Sequence, residues 1–489
     1  MRKFFYLCII TCFLLFVSSC ETTNKFVSEL TIISVNDFHG ALDESDGKYG
    51  VARLASSISA EEKNAEASVL ISAGDMFQGT ALSNYDHGKT VIDIMNKMKF
   101  DAMVIGNHEF DWGFEEIYQY VDGSDENGEA TFPFLGCNII EKNTGQRPEG
   151  VDAYQIVNRG GLKIAIVGYM GEGNESDIAE AMIGDYQFAN PIPYIKSTIS
   201  DLRVNQGVDV VIVSGHEGND SNQMLASLEG DERVDAIINA HTHSTYSGTI
   251  TRTDGIKIPY VQAGSAGEKF GLIKLSIDQD TKQVTGGTAE VKYNLSKTED
   301  STIKTIVSNL KEETLPVFGR VIGSANEYVD RYGAADWAAT ALKEYATTDI
   351  AVINIGGIRA QAFPIEQGTN ITVSKIYEIM PFDNVLKTVD LKGSDVRILV
   401  NKSDFVMSSN VGGMLVAIPT AILIYINGEV LDNDKMYSVA TIDYIFDKPE
   451  NPFLGGENIS NTGILFRDIL IQTVEKDGTI IIPIRGKNE

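Results

Sequence analysis

The chain has 489 residues, 43% of them hydrophobic and 22% charged, with 45 Gly and 12 Pro. That is the composition of an ordered globular protein of roughly two or three domains, not of a disordered or collagen-like chain. Forty basic against 68 acidic residues leave a formal charge of −28, which argues against wrapping a nucleic-acid polymer. A small anionic substrate stays compatible, because a local metal cluster can reverse the field.

The N-terminus reads as a processing signal. Met1–Arg2–Lys3 is basic, Phe4 to Val17 is uncharged, and Val17–Ser18–Ser19–Cys20 resembles a bacterial lipobox. The expectation is a lipoprotein signal at 1–19, a mature chain anchored to the membrane through Cys20, and a polar tether at 20–29. The alternative is a plain signal peptide with an incidental Cys. The expected location is the bacterial cell envelope, facing the periplasm or outward. Of the four cysteines, Cys8 and Cys12 lie in the signal and Cys20 would carry lipid. Cys137 is then left without an intramolecular disulfide partner. No later apolar run is long enough to span a bilayer.

Short β-branched runs follow: Leu30–Val35, Val69–Ser72, Ala102–Ile105, Leu162–Val167, Val210–Ser214 and Ala236–Asn239. Helix-like stretches at Val51–Lys63, Thr90–Met98, Pro193–Asn205 and Asn222–Leu228 separate them. The alternation predicts an α/β fold with some parallel pairing. Five of the runs end in polar groups, and open α/β sheets gather ligands beyond the carboxyl ends of their strands. Residues 251–300 read as antiparallel strands (Ile258–Gln262, Phe270–Ile277, Gly287–Tyr293). Lys297–Glu313 reads as a connecting helix. The expected bounds are a first domain over 30–300, a connector over 301–320 and a second domain over 321–489. In the last, the stretch after a strand at Tyr437–Ile442 reads as Pro/Gly-rich loop ahead of a helix near Phe466–Val474.

Five of the six histidines sit at strand ends: His39 in DFHG, His108 in GNHE, His216 in SGHE, His241 and His243 in AHTH. Only His87 lies elsewhere. With Asp37, Asp75 and Asn107 they form a donor set suited to Zn²⁺, Mn²⁺ or Fe rather than Ca²⁺. Asp37/His39 and His241/His243 are each two apart, and on an extended exit such pairs share a side. Asp37, His39, Asp75, Asn107, His216, His241 and His243 are seven candidates, more than one catalytic zinc uses. Two ions sharing a carboxylate, or one ion with supporting partners, account for them. His108 and Asp111 read as an acid and its orienting carboxylate. Asp111 can equally cap a helix near Trp112.

The run DFHG, GD, GNHEFD, GHE and AHTH resembles the calcineurin-like metallophosphoesterases. Within them it is similar to the secreted two-domain 5′-nucleotidase and UDP-sugar hydrolase family, over about 30–300. The resemblance implies an N-terminal four-layer α/β/β/α sandwich and a smaller C-terminal α/β substrate-binding domain. It implies one ion on Asp37, His39, Asp75 and His243, another on Asp75, Asn107, His216 and His241, and His108 oriented by Asp111 at the departing oxygen. Asn354–Ile355–Gly356–Gly357–Ile358–Arg359 and Met380–Pro381–Phe382–Asp383–Asn384 resemble the substrate domain. By that likeness Phe382 and Tyr444 stack on a base, Asn354 and Arg359 face the phosphate and sugar, and Arg331 stands near the family's usual first substrate-binding arginine. As residues alone, Phe382 reads equally as core and Tyr444 as sheet packing. The family's Gly-Gly-Asp-Gly run is missing after Tyr444, where Asp447 or Glu457 could replace its Asp.

The activity implied is release of phosphate from nucleoside 5′-monophosphates, by attack of a hydroxide held between the ions. The alternatives are hydrolysis of UDP-sugars, cyclic nucleotides or another small phosphoester, and a catalytically dead nucleotide-binding surface lipoprotein.

Overall fold

A computed structural model of the chain describes residues 26–44, 49–124, 128–417 and 420–484. The expected signal, Cys20 and most of the tether lie outside the described residues. No helix among the described residues is long and apolar enough to cross a membrane.

The N-terminal lobe is an α/β sandwich built on two sheets of seven and six strands. In the first, Glu29–Val35 lies parallel to Ser68–Ser72, which lies parallel to Ala102–Val104. In the second, Leu162–Met170, Val210–His216 and Ala236–Ile238 run parallel. These strands are apolar on both faces because both faces are covered. Leu30, Ile32, Val69 and Ile71 pack against Ile164, Ile166, Val210 and Ile212 between the sheets. Helices Gly50–Asn64 and Lys89–Met98 cover the outer face of the first sheet through Leu54, Ile58 and Ile94. Pro191–Val204 covers the second through Ile195, Ile199 and Leu202.

The three strands expected over 251–300 divide between the two sheets. Lys269–Ile277 and Val284–Tyr293 extend the first in antiparallel register. Lys257–Ala263 joins the second, antiparallel to Thr245–Thr251 but parallel to Ala236–Ile238. Alternation within a strand reports one buried face and carries no information on which sheet supplies it.

Helix Ser301–Phe318 starts at Asp300, whose side chain accepts from the amides of Thr302 and Ile303. Its Ile303, Val307 and Leu310 enter the first core and its Phe318 the second. The C-terminal lobe has a five-stranded sheet: Phe405–Met407, Ile350–Asn354, Met436–Ile442, Val385–Lys392 and Glu457–Leu465 in spatial order. Helices Arg331–Ala346 and Phe466–Asp477 belong to its core, through Trp337, Leu342, Ile469 and Leu470. Glu457–Leu465 corrects the expected loop. It is an edge strand with a mostly exposed, polar side-chain row and two register shifts against its neighbour, so it shows no period-2 pattern.

Candidate metal centre and adjoining cavity

The parallel strands of both sheets end at one edge, and the polar residues just beyond them converge. Asp37, His39, Asp75 and His243 form one group of possible ligand atoms, and Asp75, His216 and His241 a second that shares Asp75. Asn107 joins the second: its Oδ1 lies 3.1 Å from His216 Nε2 and 3.0 Å from His241 Nδ1.

The local backbone differs from the extended exits expected. Asp37, His39, Asp75, His241 and His243 all have φ between +49° and +70°. This left-handed conformation is costly for non-glycine residues and persists only where surroundings over-determine it. Those surroundings are visible. Asn36 donates to Asp37 Oδ2 at 2.6 Å and to the Gly264 carbonyl at 2.7 Å. Glu109, 1% exposed, accepts from the amides of Asp75, Met76 and Gly106 at 2.9, 2.7 and 2.6 Å. Burial, reinforced by the charge of Asp75, pushes its carboxyl up to about 7. Glu109 was not singled out from the sequence, although it closes the GNHE motif. A Cβ on Gly106 would stand 2.2 Å from Asp75 Oδ1, so this position requires glycine.

The donor set fits divalent cations. His39 Nδ1 meets the Gln78 carbonyl at 2.9 Å and His216 Nδ1 the Ala73 carbonyl at 2.8 Å. A ring proton belongs on each of those nitrogens by the bonding pattern, which leaves Nε2 as a lone pair. His39 Nε2 lies 2.9 Å from His243 Nε2, and His216 Nε2 lies 3.2 Å from Asp75 Oδ2. At His216 a lone pair thus faces a carboxylate oxygen, an arrangement reconciled by a cation or a proton. Burial opposes charge on His216, yet Asp75 outweighs it and raises the imidazole to about 9. Burial also lifts Asp37 to about 7. Burial instead holds His39, His241 and His243 below their ordinary values and so favours their neutral, ligand-competent rings. The two groups therefore constitute a dinuclear divalent-metal site.

His108 sits at the border of this cluster. Its Nδ1 is 2.7 Å from Asp111 Oδ2, and its backbone amide donates to Asp75 Oδ1 at 2.9 Å. Burial disfavours its charge, but Asp111 and Asp75 hold it above its ordinary value. Asp111 lies inside the 3₁₀ turn Asn107–Trp112, and the next helix, Phe114–Tyr118, is flanked by Gly113, so Asp111 caps neither. The His108 ring stacks on Phe382 with centroids 5.6 Å apart.

A cavity of about 350 Å³ opens from His108, Asp75, His241 and His243 toward the C-terminal lobe. It is lined there by Asn354, Arg359, Phe382 and Tyr444, and by Asp177, Ala179 and Met182 from the N-terminal lobe. Its size lies within the range of small-molecule sites, ~300–1,000 Å³. Arg359 bridges the two regions, with Nη2 3.4 Å from His39 Nε2 and its guanidinium 5.5 Å above Phe382. Asn354 Oδ1 is buried without a hydrogen-bond partner. Arg331 is not brought to this lining. It donates to the carbonyls of Ile355 and Ile358 at 2.9 and 2.7 Å and so braces the turn before Arg359. Asp447 pairs with Lys387 at 2.6 Å, and neither it nor Glu457 lines the cavity, whereas Asp443 does.

Two stacked sheets, a shared-carboxylate Asp/His/Asn cluster and an adjoining cavity define a metal-dependent phosphoesterase. Residues 30–245 match the calcineurin-like phosphoesterase family and 310–454 match the 5′-nucleotidase C-terminal domain. The chain thus joins a calcineurin-like phosphoesterase domain to a 5′-nucleotidase C-terminal domain. Endonuclease YhcR of Bacillus subtilis (strain 168) is 28% identical over 76% of this chain, which covers 32% of that protein's length. Snake venom 5′-nucleotidase of Naja atra is 27% identical over 76% of this chain and 77% of its own. The fold matches a 5′-nucleotidase precursor from Thermus thermophilus, with TM-score 0.77 at 21% identity over 94% of this chain and 98% of that one.

Proposed function

We propose that the protein hydrolyses nucleoside 5′-monophosphates to nucleoside and phosphate. The observation that carries this reading is one continuous cavity. It runs from the Asp75–His241–His243 edge of the metal cluster, past His108, to the faces of Phe382 and Tyr444. Aromatic faces accept bases with little sequence preference.

Two divalent ions, held by Asp37, His39, Asp75 and His243 and by Asp75, Asn107, His216 and His241, would supply Lewis acidity and a water acidic enough to react at neutral pH. Arg359 can fork onto phosphoryl oxygens as they arrive. With Nδ1 bonded to Asp111, the His108 ring keeps Nε2 free. From there it stabilises the departing 5′ oxygen and returns a proton to it. Phe382 stacks beside His108 and covers one face of its ring. The buried Asn354 Oδ1 is an acceptor awaiting a donor, and a sugar hydroxyl or base N–H supplies one.

The domain assignment proposed alongside is 30–300, 301–320 and 321–489, preceded by the 1–19 signal and the 20–29 tether. Location at the bacterial cell envelope through Cys20 belongs to the same proposal, and labelling with a palmitate analogue checks it. The activity is checked with a panel of nucleoside monophosphates in Mn²⁺ or Zn²⁺, against glycerol phosphate as a base-free ester. Nucleotides should be preferred. Negligible turnover of every nucleotide overturns the reading, and preference for the base-free ester points to another small phosphoester.

A further inference from the structure

The segment after Tyr444 departs from the family's pattern, and the proposed reaction does not use it. In the structure it is firmly tied. Asp447 pairs with Lys387, and Asn451 Nδ2 donates to the Ile445 carbonyl at 2.6 Å. From this braced segment Lys448 reaches into the other lobe. Its ammonium stands 4.0 Å from the centroid of the Tyr444 ring, and Nζ donates to the Ser176 carbonyl at 2.7 Å. The Tyr444 hydroxyl meets the same carbonyl at 3.5 Å.

Ser176 belongs to the 3₁₀ turn Asn174–Asp177 of the N-terminal lobe. The start of that turn is anchored to the metal-bearing strand, because Asn174 Nδ2 donates to the His216 carbonyl at 3.0 Å. Its last residue, Asp177, lines the cavity with Oδ2 3.5 Å from His241 Nε2. One wall of the cavity is therefore assembled across the lobes, and the Lys448 side chain makes the shorter of the two contacts that join its halves.

We propose that Lys448 is a positioning residue that ties the Tyr444 ring to the Asn174–Asp177 turn and so sets the ring against the leaving group. This rests on the nucleotide reading above. An ammonium over an aromatic face is attracted by the ring quadrupole, and a carbonyl capturing the same ammonium fixes it there. Without the cation, Tyr444 keeps its backbone place and its own 3.5 Å contact to the Ser176 carbonyl, but loses the ammonium that holds its ring face.

The test compares Lys448→Met, which keeps the apolar stem, with Lys448→Arg, which keeps the cation, in the full metal-loaded chain. Calorimetry reads adenosine binding, and kinetics read KM and kcat for AMP and glycerol phosphate. Lys448→Met should weaken adenosine binding and raise the AMP KM by about fivefold each, the scale of one partly exposed cation–π contact. The glycerol phosphate KM should move less, and Lys448→Arg should restore most of the loss. Adenosine affinity equal to wild type in Lys448→Met, with AMP still hydrolysed, overturns this inference alone. Equal losses on both substrates reduce Lys448 to a merely structural role and overturn it too. No AMP turnover by the wild type overturns the nucleotide reading and this inference with it.

Discussion

The metal cluster and the adjoining cavity are built by opposite means. Every candidate metal ligand comes from one lobe, and Asp37, His39, Asp75, Asn107 and His216 are almost wholly buried. Five of the seven stand on left-handed backbone clamped by buried partners such as Asn36 and Glu109. The cavity is instead assembled where two lobes meet, from partly exposed side chains and single hydrogen bonds across the seam. On the proposed reading, reaction chemistry is fixed within one buried frame, while substrate choice is left to the seam between lobes. Substitutions in the first should show in metal content and kcat, and those in the second in KM.

The largest test of this division is Asp75→Asn. The side chain belongs to both ligand groups, so the change should lower kcat by about 10³-fold or more and reduce bound metal, read by elemental analysis. Chelation of the wild type should reproduce the loss, with Mn²⁺ or Zn²⁺ restoring activity. Full activity in Asp75→Asn would break the account of a shared carboxylate.

His108→Ala sits on the border and should separate the two roles. The expected loss in kcat is about 10²-fold or more, the usual yield of a placed general acid, with metal content unchanged. Loss of metal would move His108 into the ligand set. Phe382→Ala belongs to the cavity and should raise the nucleotide KM about tenfold, within the range of base–aromatic stacking. A kcat effect exceeding the KM effect would mean that the Phe382 contact with His108, not stacking on the base, is its main contribution.

The contrast also explains what could be read in advance. Metal ligands are legible because His, Asp and Asn at the ends of β-branched runs are rare by chance and tied to a local strand signal. Their backbone conformation was not legible: the two-residue spacing suggests an extended chain, whereas φ is +49° at Asp37 and +51° at His39. Glu109 was hidden because it belongs to neither ligand group and two of the amides it accepts from lie more than 30 residues away. The seam was hidden for a related reason. Asn84 donates to the Pro381 carbonyl across 297 positions and Lys448 to Ser176 across 272, and no periodicity records such contacts. The edge strand Glu457–Leu465 went unseen because its exposed polar row carries no alternation.

The smallest expected effect probes that seam most directly. Trp112 Nε1 donates to Asp383 Oδ2 at 3.2 Å, and Asp383 also pairs with Arg467. Asn84 holds Pro381 at 2.8 Å, so the residues on either side of Phe382 are both held from the N-terminal lobe. Trp112→Phe keeps a ring for His87, which stacks on it at 4.9 Å, and deletes only the N–H. One such hydrogen bond is worth about 1 kcal/mol, so the nucleotide KM should rise about threefold to fivefold with kcat nearly constant. If Trp112 acts by placing Phe382, this increment should vanish when Phe382 is already alanine, a non-additivity that a double-mutant cycle measures. Simple additivity would show that Trp112 supports the seam without steering the ring, and the joint would then be a general brace, not a means of setting substrate fit.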